Sequence, residues 1–131
     1  MRNRQQREAE RTRADRASDR LDTCIDELAD AGFASTRERT RNRCVAFMEY
    51  CRANHNLQDG DVPDPSWLVP YAKTFWAKLE SEKTVVEKVA LVVALCRRLA
   101  GDADPSVAAK WEKVDAKSVV SKLPARFSNR R

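Results

Sequence analysis

A chain of 131 residues with a net charge of +5 and a pI near 9.2 has room for one domain and a charged extension. The basic excess suits a polyanionic partner, although 20 acidic residues set it well short of a histone-like tail. Three glycines and five prolines are too few to turn a many-stranded β-fold, so the expectation is all-α.

The longest apolar run, Val89 to Cys96, is too short to cross a bilayer. No apolar segment opens the chain, so the expected location is intracellular (cytoplasm, nucleoid or nucleus) and not secreted. Four cysteines in such a chain are expected as reduced thiols.

Residues 1–20 hold seven arginines and four acids, with nothing aliphatic larger than alanine after Met1. They read as a solvated arm, frayed or conditionally helical. Leu21, Ile25 and Leu28 then recur at helical spacing and Gly32 is a stop, so this helix should dock through its last two turns. The expected division is 1–33 for arm and docking helix, 34–123 for a compact bundle of four to five helices, and 124–131 for a basic tail.

The stretch STRERTRNRCVAFMEYC, residues 35–51, is basic in its first half and apolar in its second. Ser35 and Glu38 fit a capping box that opens the second helix. Cys44, Phe47, Met48 and Cys51 make an apolar stripe. At 100° per residue, Arg41 and Arg43 lie about 80° to either side of it. Arg37 projects beyond the core, and the N-terminal half of the helix should stand out from the bundle. A polar, acidic loop follows.

A third helix is expected from Ser66, as N-cap, to Glu80. Leu68, Tyr71, Ala72, Phe75 and Leu79 form its face, and Pro70 lies in its first turn. TVVE, residues 84–87, reads as a second capping box, and its helix runs to Gly101. That helix is apolar nearly all round and belongs at the centre. Asp104-Pro105 opens a fifth helix with Asp as N-cap. A short turn covers 118–123.

Chemistry is sparse. Cys51 and His55, at i and i+4, supply half a zinc site, but no second pair completes it; buried cysteine and helix-end histidine is the better reading. Asp59, Asp61 and Asp64 around Gly60 lack the twelfth-position glutamate of a calcium loop. No phosphate-cradling glycine loop is present. Neither a metal nor a cofactor is expected, no catalytic residue is assigned, and the chain reads as a non-enzyme.

The cations remain. Arg37, Arg41 and Arg43 lie on the second helix, Lys78 and Lys83 bracket the next turn, and Arg97 and Arg98 end the central helix. Lys110 and Lys113 lie on the fifth helix, with Lys117, Lys122 and the tail arginines beyond. Such groups at helix ends can grip phosphates. Trp67, Trp76 and Trp111 are available for base stacking, but core is the better place for Trp111.

The arrangement resembles the core-binding domain of tyrosine recombinases and phage integrases, a helical SAM-like module. The likeness covers about residues 35–114. It rests on STRERTRNRCVAFMEYC with its late Phe47, Tyr50 and Cys51, on VPDPSWLVPYAKTFWAKL, on EKTVVEKVALVVALCRRLAG and on ADPSVAAKW. It implies half of a clamp round duplex DNA, used in recombination or integration, with Arg41, Arg43, Lys83 and Lys110 on phosphates. The family's catalytic residues belong to a second domain for which this chain has no room, and the charged arm is outside the pattern. Duplex DNA is therefore the first expected partner; RNA and self-association stay open, and a membrane is not expected. The rival reading is a structural helical module of a virus or mobile element, with RNA contact through the arm.

Overall fold

The computed structural model describes residues 4–34, 36–78, 80–101 and 104–124, with side chains described from Ala14 onward. Six α-helices and one 3-10 turn occur among them: α1 Arg4–Asp30, α2 Arg37–His55, a 3-10 turn Pro65–Trp67, α3 Leu68–Ala77, α4 Glu82–Ala100, α5 Pro105–Glu112 and α6 Ala116–Ser121. The described residues contain no strand, and the all-α bundle is as the sequence implies.

A side-chain oxygen satisfies an orphaned backbone N–H at most of these starts. Thr36 accepts from Arg39 N at α2, Ser81 from Thr84 N at α4, Asp104 from Val107 N at α5, and Asp115 from Ser118 N at α6. Three expected caps therefore move. Thr36, not Ser35, caps α2, and Ser35 itself is outside the described residues. Ser81, not Thr84, caps α4, which adds Glu82 to a first turn whose dipole favours an acid. Asp64, not Ser66, opens the third segment, with Pro65 behind it and its carboxylate accepting from Ser66 N. Asp64-Pro65 thus repeats the device of Asp104-Pro105. Pro70 falls in the first turn of α3, as expected, while Leu79 of the anticipated apolar face lies outside the described residues.

Helix α4 packs against α1, α2, α3, α5 and α6, which is why its apolar surface runs nearly all round. Phe47, Leu68, Val85, Val89, Leu91 and Leu95 are fully buried. From α1, Cys24, Ile25 and Leu28 enter the same core and Leu21 packs beside it, and contact with α4 reaches back as far as Arg20. Two arginines act as caps across the fold. Arg20 of α1 donates to the α4 carbonyls of Arg98 at 2.9 Å and Leu99 at 2.9 Å. Arg97 of α4 donates to Trp111 O at 3.0 Å and Val114 O at 2.8 Å, at the end of α5.

All four cysteines are buried free thiols, contributed by α1, α2 and α4. Burial pushes Cys44 and Cys51 up to about 12 and Cys96 well above its ordinary value. Buried Tyr71 is raised for the same reason. The sign follows directly: the unfolded chain loses these protons first, from about pH 9, so stability is full below that and falls as pH rises toward 12. The expected result is a unfolding midpoint that is flat through neutral pH and declines from about pH 9, with native thiols resisting alkylation at pH 8. Rapid labelling of the folded chain at pH 8 would contradict the buried placement.

Candidate nucleic-acid interface

The basic half of α2 does not stand out from the bundle. It lies against α1, and Thr40 is fully buried there, its hydroxyl donating to Thr36 O at 3.1 Å. The cause is an acidic ladder on α1 with a four-residue step, Asp22, Asp26 and Asp30, which places its carboxylates on one helix face. Arg37 Nη1 meets Asp26 at 2.8 Å and its Nη2 meets Asp30 at 2.7 Å. Arg41 meets Asp22 at 2.9 Å. The hydrogen bond that Arg37 donates to Asp30, with the charge of that carboxylate, holds the guanidinium more firmly protonated. Across the other side of α1, Arg98 meets Glu27 at 3.0 Å.

The nine expected cations thus divide by what they touch. Arg37, Arg41 and Arg98 are paired to α1, and half-buried Arg97 is turned inward onto the α5 carbonyls. Lys110 stands 3.7 Å from Asp64, whose carboxyl is lowered by the hydrogen bond from Ser66 and further by Lys110. Arg43, Lys78, Lys83 and Lys113 have no ion pair among the described residues. A basic helix end reads identically in the sequence whether it faces solvent or a neighbouring helix terminus, and Arg97 faces the end of α5.

Arg39 joins the unpaired group. It is exposed and one turn from Arg43, on the edge of α2 opposite Arg37 and Arg41. That i, i+4 relation was present in the sequence. Half-buried Arg43 lies close enough to Tyr71 for its charge to oppose the upward shift of the phenol. From Tyr71 a row of rings continues along α3. Tyr71 contacts Phe47 at 4.9 Å between centroids and Phe75 at 4.9 Å. Lys88 of α4 sits 4.1 Å from the Phe75 centroid and pairs with Glu80 at 2.7 Å. This fixes the α3–α4 turn, on which Lys78 and Lys83 are exposed. Among the described residues, then, the cations that make no ion pair include Arg39 and Arg43 on the α2 edge and Lys78 and Lys83 at the α3–α4 turn, with Tyr71 and Phe75 packed between these elements. Lys110 and Lys113 stand apart on α5.

The other candidate chemistry disperses. Cys51 is buried, whereas His55 stacks flat on Trp67, with centroids 4.3 Å apart and planes 3° apart. Among the described residues no group of three or more His, Cys, Asp or Glu side chains could hold a metal ion. Trp111 is fully buried, and Trp76 is half-buried with its indole N–H donating to Pro124 O at 2.7 Å. Tyr71 is buried and Tyr50 half-buried, with both phenols raised by burial. No helix among the described residues is long and apolar enough to cross a membrane. No protein-family model, curated protein or solved structure matches the chain.

Proposed function

We propose that this chain is a nucleic-acid-binding helical module that grips phosphates without cutting them. Duplex DNA comes first as the partner, because the recombinase core-binding domain it resembles clamps duplex DNA. The observation that carries the reading is the separation of charge. Acids and carbonyls hold Arg37, Arg41, Arg97 and Arg98, while Arg39, Arg43, Lys78 and Lys83 make no ion pair among the described residues. Cations so placed release condensed counterions on meeting a polyanion, with little base reading required. Tyr71 is buried and half-buried Tyr50 packs against the rings of Tyr71 and His55, so neither phenol is offered as a freely exposed nucleophile, and the reading assigns any cutting to another domain or partner.

The test is fluorescence anisotropy with a labelled duplex over a salt series. Wild-type affinity should fall by orders of magnitude from low to moderate salt. Arg43→Gln with Lys78→Gln and Lys83→Gln should weaken binding about tenfold or more at low salt and flatten the salt slope by about 2–3. The melting temperature should stay close to wild type, since Lys78 and Lys83 are exposed and half-buried Arg43 makes no ion pair among the described residues. Binding that is absent at low salt, or indifferent to salt, would refute phosphate gripping and favour a structural module that assembles through its helices.

A further inference from the structure

We propose that the acidic ladder of α1 is an intramolecular stand-in for nucleic-acid phosphates, masking Arg37 and Arg41 until a polyanion displaces it. This rests on the nucleic-acid reading and assigns a regulation to the same face. Asp22, Asp26 and Asp30 rise about 6 Å per step along the helix, a regular file of anions. Arg37 takes two of them at 2.8 and 2.7 Å, and Arg41 takes the third at 2.9 Å. A guanidinium recognises carboxylate and phosphate with the same donor fork, so the ladder and a phosphate backbone are rivals for one site.

Two features make the mask displaceable. The pairs are wet: Arg37 is 57% exposed, Asp26 59% and Asp30 71%. Exposed pairs of this kind are weak and salt-screened. Separately, α1 is held by Cys24, Ile25 and Leu28 in the core and by Arg20 on the α4 carbonyls. None of those contacts uses the ladder, so the arginines can exchange partners while α1 stays docked. Arg37 and Arg41 on one edge, and Arg39 and Arg43 on the other, border the same solvent-facing strip of α2, occupied by exposed Glu38 and Asn42. A duplex laid over that strip reaches both edges, and unmasking would double its arginine contacts there.

The experiment uses the full chain with Asp22→Asn, Asp26→Asn and Asp30→Asn together. An equal-charge control carries Glu49→Gln, Asp59→Asn and Glu112→Gln, exposed acids that make no ion pair among the described residues. The ladder variant should bind a short duplex about tenfold tighter than the control, with a salt slope steeper by about 2 for two added phosphate contacts. Adding Arg37→Gln and Arg41→Gln to the ladder variant should erase that gain. The same two substitutions in the wild type should cost less than about threefold, because both side chains are already occupied. A ladder variant that binds no better than the control overturns the inference, as does a tenfold loss from the arginine pair in wild type, which needs no folded ladder variant. If wild type and ladder variant both fail to bind at low salt, the nucleic-acid reading itself has failed.

Discussion

Replacing Trp111 with alanine is expected to remove about 3–5 kcal/mol of stability, a large share of what a domain of this size holds. The indole is fully buried between α5 and the core, and its N–H donates to the carbonyl of buried Pro63 at 2.8 Å. Alanine at 111 would leave a cavity of nearly a whole indole and an unpaired buried acceptor. The effect reaches beyond α5. Pro63 ends the loop that follows α2, a loop that begins with Asn56 in the left-handed region at φ 55° and has little apolar content besides Leu57 and Val62. Trp111 is the pin that fixes that loop and so sets where Asp64 can cap the next segment. Trp111→Phe separates the two terms: it keeps most of the volume and loses the donor, so about 1–3 kcal/mol should go. Denaturant unfolding followed by far-ultraviolet circular dichroism measures both. A loss under about 1 kcal/mol for alanine would place Trp111 outside the core.

Burial was legible because it is written locally. The stripe Cys44, Phe47, Met48 and Cys51, the continuous apolar surface of α4 and the Leu21–Leu28 spacing each need only the helical period to be read. Cap positions were less legible where two competent residues stand together. Ser35 and Thr36 are adjacent, and Ser81 lies one turn before Thr84, so a matching S/T-x-x-E pattern did not decide which oxygen takes the orphan N–H. The partners of charged side chains were least legible, because they are chosen by how helices lie together. Arg37 and Arg41 were judged against the stripe of their own helix, while the ladder that pairs with them is on α1. The repeat Asp22, Asp26 and Asp30 was visible, but only its docking beside α2 makes it a partner.

Arg97 gives the sharpest test of that difference. Read along the chain, it is one of two cations that end a helix and a natural phosphate ligand. In the fold it is half-buried, with its guanidinium on Trp111 O at 3.0 Å, Val114 O at 2.8 Å and, more weakly, Glu112 O at 3.4 Å. Helix α5 has eight residues, too few to persist alone, and its last carbonyls accept only long backbone bonds from beyond it, Lys113 N–H to Lys110 O at 3.3 Å and Val114 N–H to Trp111 O at 3.2 Å. A cation held against that terminus supplies donors and opposes the negative end of the dipole. Arg97→Met, which keeps the length of the stem and removes the fork, should therefore cost about 2–4 kcal/mol, since charge-assisted bonds to partly buried acceptors are lost together. Arg97→Lys should recover only part, because an ammonium cannot spread across two carbonyls as the planar fork does. Its neighbour Arg98, exposed and paired with Glu27, should tolerate methionine with little change in stability. Hydrogen exchange offers the matching local measurement, with protection falling first in 105–114 of the Arg97→Met chain. A neutral effect on stability combined with a tenfold loss of duplex binding would reverse the assignment, making Arg97 a phosphate ligand and leaving the end of α5 to be held by Trp111 alone.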